Sequence, residues 1–168
     1  MNPADDPRTL RTLFGHFASG VVVVTCGAGA DVHGMTANSF VSVSLSPPLL
    51  LISVRREARM HGQMRAQPRF GISVLAEEQG DLSRHFAGQP VPNLVPRFTE
   101  QAGVPVLADS LAWMACERHD EWMTDTHTLF IGRLLDGGHA REGRPLLFYG
   151  GGYHALPRPP LPIEGQQA

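Results

Sequence analysis

No lysine occurs anywhere in the 168 residues; all 14 basic side chains are arginine. Without the lysine amine there can be no Schiff-base enzyme and no Walker-type phosphate loop. Arginine's planar fork still pairs with phosphate or carboxylate, so anionic ligands stay open. Cysteine is nearly absent too. Cys26 and Cys116 stand far apart, each in an apolar run, which predicts reduced core thiols in a cytoplasmic protein. Neither has a local activating pattern, and there is no GxSxG, so acyl transfer is not expected. GxGxxG is missing, which removes a Rossmann site, and the eight histidines show no HxH, HExxH or CxxC spacing that would argue for a metal. The N-terminal MNPADDPRTLRTLF puts acidic residues before its first apolar group and has no long apolar run, unlike a signal peptide or membrane anchor. With a net charge of -2, a pI near 6.4 and no basic stripe, nucleic acid is not an expected partner.

What is present is an ordinary globular composition, 42% apolar and 18% charged, predicting one domain over residues 1–156 and a flexible proline-rich tail over 157–168. Asp6 and Pro7 form a helix start, and Leu10, Leu13, Phe14 and Phe17 follow at helical spacing up to Gly20. The β-branched run 21–26 predicts a buried strand, turned by residues 27–31 into a second one, with the first helix packed on this hairpin. Residues 41–45 alternate: Val41, Val43 and Leu45 are expected on the buried face, Ser42 and Ser44 on a wet or ligand-facing one. Pro47 and Pro48 stop that strand and make 49–54 a new, central one. A short helix over 59–66 with Met60 and Met64 inward, a strand over 69–75, a helix over 77–86, strands over 111–122, 128–135 and 146–149, and a turn over 136–144 complete the elements. The four prolines within residues 89–106 predict a long surface loop or lid. About seven strands with hairpin-like connections favour a mainly β, antiparallel barrel with a few short flanking helices over a doubly wound sheet.

The stretch GMTANSFVSVSLSPP over 34–48 is the centre of this organisation. Gly34 permits close backbone approach, and Thr36, Asn38 and Ser39 offer hydrogen-bonding groups without charge, a rim suited to a flat, neutral ligand. Arg55, Arg56, Arg59 and His61 cluster at the next strand-to-helix junction, where guanidinium groups and first-turn amides can hold a phosphate. His127, at the start of an apolar strand, is the histidine placed to hydrogen-bond a ligand at the barrel rim, and Tyr153 follows three glycines towards the same rim.

Five blocks in order resemble the flavin reductase family, the small reductase components of two-component monooxygenases: FGHFASGVVVVT (14–25), HGMTANSFVSVSLSPPLLLISV (33–54), RFGISVLAEEQGDLSRHFAG (69–88), THTLFIGRL (126–134) and PLLFYGGGYH (145–154). The RMH at 59–61 together with ANSF most resembles reductases serving styrene-type monooxygenases. The resemblance implies an FMN-binding split barrel with Greek-key topology, usually a homodimer, using FMN or FAD and NADH or NADPH. It implies that Thr36, Ala37, Asn38, Ser39 and Ser53, with Val54 and Arg55 after it, line the flavin ring and its chain. Arg59 and His61 would lie near the phosphate end, and Phe86, His127 and Tyr153 on the nicotinamide side. Asn38 stands where the family often has Ser, and Ala58 and Met60 where it often has hydroxyls, which implies flavin held loosely as a substrate. The expected activity is hydride transfer from NAD(P)H to FMN or FAD, with reduced flavin passed to a separate oxygenase. The alternatives are a split-barrel flavoprotein that keeps its flavin and reduces another substrate, and a non-catalytic flavin-binding protein.

Overall fold

The structure, a computed structural model, describes residues 6–140 and 142–157. The tail expected over 157–168 lies, but for its first residue, outside them.

Asp6 caps α1 (Pro7–Gly15), its carboxylate accepting the amides of Arg8 and Thr9. The helix ends at Gly15, a turn earlier than Gly20, and none of its residues is buried; Phe17, beyond it, is 80% exposed. It does not pack on the first hairpin. Every residue of β2 (Val22–Cys26) is already covered by other elements, so α1 leans on the turn after β11 (Leu146–Tyr149), where Gly150 N donates to Gly15 O at 2.9 Å.

Seven antiparallel strands form the main sheet, in the order β3 (His33–Ala37), β2, β6 (Arg69–Val74), β9 (Ala112–Met123), β10 (His127–His139), β5 (Pro48–Arg55), β4 (Val41–Leu45). Its two end strands are consecutive in sequence. Residues 38–40 join them, so the sheet curls into a barrel, and Ser39 ties the join to β5: its hydroxyl donates to Ser53 O at 2.9 Å and accepts from Ser53 N at 3.2 Å. Where β3 and β5 are not paired the barrel is split. α2 (Arg59–Ala66) fills that split, with Met60 and Met64 buried among Val24, Ile52, Val54, Phe70, Ile72 and Phe130, as the spacing predicted. Cys26 and Cys116 belong to this core, and burial pushes both thiols up to about 12.

On the other side of β2 a second layer holds α3 (Gly80–Phe86) and a small sheet of β1 (Ser19–Gly20), β11 and β12 (Gly152–Ala155), packed around Val21, Val23, Leu75, Leu107 and Leu146. The helix expected over 77–86 is a 3-10 turn (Glu77–Gln79) running into α3. Residues 98–107 are not loop. β7 (Phe98–Gln101) and β8 (Val104–Leu107) make a hairpin laid over β2 and β6, all four residues of β8 buried, with Thr25 donating to Pro105 O and Leu107 N donating to Ser73 Oγ at 2.9 Å. Pro105 hid it from a pattern reading, although a two-stranded hairpin tolerates proline. β10 likewise runs to His139, through the glycines expected to turn, because register shifts after Ile131 and Leu134 keep Gly137 and Gly138 paired with β9.

β4 departs most from expectation. Val41, Val43 and Leu45 are all exposed, Leu45 at 93%, and Ser44 bonds Pro47 O instead of facing a ligand. The strand is an edge, kinked by a bulge between Ser42 and Ser44. Among the described residues no helix is long and apolar enough to cross a membrane.

Candidate active site

The join between β3 and β4 lies in a chain of three cavities that share walls. The central one, about 350 Å³, is lined by Thr36, Ala37, Asn38 and Ser39 on the join, by Ser53 and Arg55 of β5, and by His127. Arg55 and His127 are cross-strand partners on β5 and β10, so their side chains stand together and border a second cavity of about 610 Å³ with Arg56, Glu57, His61, Asp125 and Thr126. On the opposite side, Thr36, Ala37 and Asn38 wall a third cavity of about 180 Å³, closed by Val21, Ala87, Phe148 and Tyr153. A centre of mostly small, uncharged groups, with Arg55 on its edge, therefore separates an end where Arg55 and Arg56 stand with Glu57 and Asp125 from an aromatic one.

The hydroxyls on the join have structural partners. Thr36 Oγ1 donates to Ser83 O at 2.7 Å, and Ser39 is held by the Ser53 backbone. Asn38 is exposed at the mouth, and Ser53 presents the free side chain of the pair. The carbonyl of His127 accepts the amide and hydroxyl of Thr124, and its Nδ1 lies 2.8 Å from Thr126 Oγ1, which fixes the ring beside Arg55. His61 is pinned between Thr128 Oγ1, 2.9 Å from Nε2, and the ring of Phe130. Burial, then the Arg65 and Arg56 charges, lower its pKa against the pull of Glu121, which favours the neutral imidazole in the second cavity.

Three sequence expectations fall outside the cavity walls. Val54 is buried in the barrel core because alternate residues of β5 point inward. Arg59 is exposed, lines none of the three cavities and acts electrostatically on His33, whose pKa is lowered by burial and then by that charge. Phe86 packs its ring against Gly34, where a Cβ would come within 2.6 Å of two ring carbons, and belongs to the cluster that also holds Phe148 and Tyr153. Sequence reading missed Ser83, Phe148, Asp125 and Thr126. Ser83, Thr126 and Phe148 lie inside family-like blocks but carried no signal of their own, and Asp125 lies in none; a hairpin turn, a helix and a small sheet bring them to the cavities, which is a tertiary fact.

Cavities of this size and polarity fit a nucleotide bearing a flat ring, which needs about 300–1,000 Å³ with few polar anchors. The donor set suits an uncharged ring in the centre and an anion beside Arg55 and Arg56. A split barrel carrying such a cleft suits a protein whose bound ligands supply the bond chemistry. A flavin reductase like domain matches residues 14–157. An NADH-dependent flavin reductase from Rhodococcus sp is 41% identical over 159 residues, 93% of this chain and 90% of that one. An NADH-dependent FAD reductase from Streptomyces globisporus is 44% identical over 151 residues, 84% of this chain and 81% of that one. The solved structure of the styrene monooxygenase flavin reductase from Pseudomonas putida S12 superposes with a TM-score of 0.82 at 38% identity, covering 89% of this chain and 98% of that one. The chain belongs to the flavin reductase family, and it is an oxidoreductase.

Proposed function

We propose that this protein transfers hydride from NADH or NADPH to FMN or FAD and hands the reduced flavin to a separate oxygenase in the cytoplasm. The observation that carries the proposal is the cleft of small polar groups that runs from Arg55 and Arg56 to a pair of aromatic rings, in a chain whose relatives are named for NADH-dependent reduction of flavin. One of them serves a styrene monooxygenase. The chain's own task is positioning: the join backbone, Asn38 and Ser53 orient the ring, Arg55 and Arg56 take the phosphate, and Phe148 and Tyr153 offer faces to the nicotinamide. Hydride donation and acceptance are chemistry that the two nucleotides supply when bound. Commitment of the Thr36 and Ser39 hydroxyls to the protein leaves few side-chain anchors, which favours an exchanging flavin over a retained one. The buried, unpaired cysteines agree with a reducing compartment.

The test is steady-state oxidation of NADH and NADPH with and without added flavin. Turnover should require the flavin, and a tightly bound yellow protein without turnover would favour the binding-protein alternative. His127→Ala removes a wall of the central and arginine-lined cavities and should lower kcat/KM for flavin about tenfold, roughly the loss of one hydrogen bond. Unchanged flavin and NADH kinetics would remove His127 from the site.

The reading includes a homodimer. Across β4, β5 and β10 the outward residues Val41, Leu51 and Ile131 stand in one row that ends on Asp120 of β9, and the next row runs from Ser53 through Leu129 to Trp122, which is 73% exposed. The next pair on that face is Arg55 and His127, so a second copy seated there would border the central cavity. An exposed apolar face of this kind asks for cover. The solution mass should be twice that of the chain and fall to the single value in Ile131→Glu; a monomeric parent protein would contradict it.

A further inference from the structure

We infer that Ser83 is a positioning residue for the aromatic cavity, acting through Tyr153 and Thr36 to set the distance between its two walls. The inference rests on the proposed reading that this cavity receives the nicotinamide. One wall is the end of β3, with Thr36, Ala37 and Asn38; the other is Phe148 of β11 and Tyr153 of β12. These walls belong to different sheets, joined by a single bridge between Ala76 and Pro145 and by the Leu146 amide on Leu75 O, neither of which involves a residue lining the cavity. α3 bridges the gap. Ser83 is fully buried, its hydroxyl 2.7 Å from Tyr153 Oη, and its carbonyl accepts the Thr36 hydroxyl at 2.7 Å. One residue thus holds both walls by hydrogen bonds. The same helix adds Arg84, whose guanidinium lies 5.3 Å from the Tyr153 ring centre and is steadied by Asp81 at 2.7 Å, and Phe86, packed against Gly34. Phe148 meets Tyr153 edge to face at 5.8 Å, so the phenol ring is held by an aromatic contact as well as by the Arg84 cation. Without the Ser83 hydroxyl, Tyr153 Oη would turn to solvent and the ring would leave its place against the cavity.

A contact of this kind is worth about fivefold in an equilibrium constant. Ser83→Ala and Tyr153→Phe remove it from opposite ends. Each should raise KM for NADH about fivefold, with kcat and the flavin KM within twofold, and the double variant should be no worse than either single one, because both act through one bond. Calorimetric titration of flavin-free protein with NAD⁺ gives a readout independent of turnover, and affinity should fall by the same factor. Multiplying effects in the double variant, an equal rise in flavin KM, or unchanged NAD⁺ affinity in both single variants would overturn the role of Ser83 while leaving the reductase reading intact. Parent protein that binds no NAD⁺ and turns over no NADH would remove that reading and this inference together. Should Ser83→Ala fold poorly, Tyr153→Phe carries the comparison, since it alters the half-exposed end of the pair.

Discussion

Gly71→Ala should cost about 3 kcal/mol of stability, the sum of overpacking and a disturbed buried hydrogen bond. Gly71 sits in β6 between Thr25 of β2 and Ala115 of β9, directly beneath the β7–β8 hairpin. A Cβ added there would stand 2.5 Å from Thr25 Oγ1, 3.1 Å from Val106 Cγ1 and closer still to Pro105 O. A flexible side chain could move aside. The Pro105 carbonyl cannot, because it accepts the Thr25 hydroxyl and belongs to a strand whose neighbours Val104, Val106 and Leu107 are buried. The hairpin must lift, exposing the cluster of Val104, Val106 and Ala115. A urea titration should show the midpoint falling with little change in slope; an unmoved midpoint would mean that β8 is not seated on Gly71 as described.

The second large effect falls on the ligand side. Arg55 borders both the central and the second, larger cavity, and its guanidinium has no hydrogen-bond or ion-pair partner among the described residues, whereas that of Arg56 donates to Asp125 O at 3.2 Å. It is the cation free to meet a phosphate. Removing a charge-assisted hydrogen bond costs about 1.5–3 kcal/mol, so Arg55→Ala should raise the KM for FMN or FAD by about ten- to a hundredfold. Riboflavin, which has the ring and no phosphate, supplies the control: its KM should change less than twofold. Equal losses with riboflavin would make Arg55 a structural residue, and no loss with FMN would move the phosphate elsewhere.

Local rules carried much of this fold. Asp6 and Pro7 cap α1 as their chemistry dictates, and the alternation of 69–75 and the spacing of Met60 and Met64 put the right faces in the core. The split-barrel expectation holds in the strand order and in the family match. Where reading failed, the cause was tertiary. Alternation reveals that one face of 41–45 is apolar and says nothing of what covers it; in β4 that face is bare. The VPVL of β8 was masked by a proline that a hairpin accommodates, and the GG at 137–138 was held in a ladder by bulges. For the site, the chemistry of the 36–39 join and of Arg55 and His127 was legible because small polar groups and a rim histidine are rare in apolar surroundings. Val54 failed for parity, Arg59 for direction. Ser83, inside a helix, could not be linked to Tyr153, 70 residues away, without coordinates.

The decisive measurement is anaerobic mixing of the protein with excess NADH and free FMN or FAD, followed by flavin absorbance. The account predicts catalytic loss of the oxidised flavin spectrum, many flavins reduced per chain, with the product separating from the protein on gel filtration and able to reduce a second acceptor. Reduction limited to one equivalent held on the chain, or none above the rate of NADH and flavin alone, would contradict it.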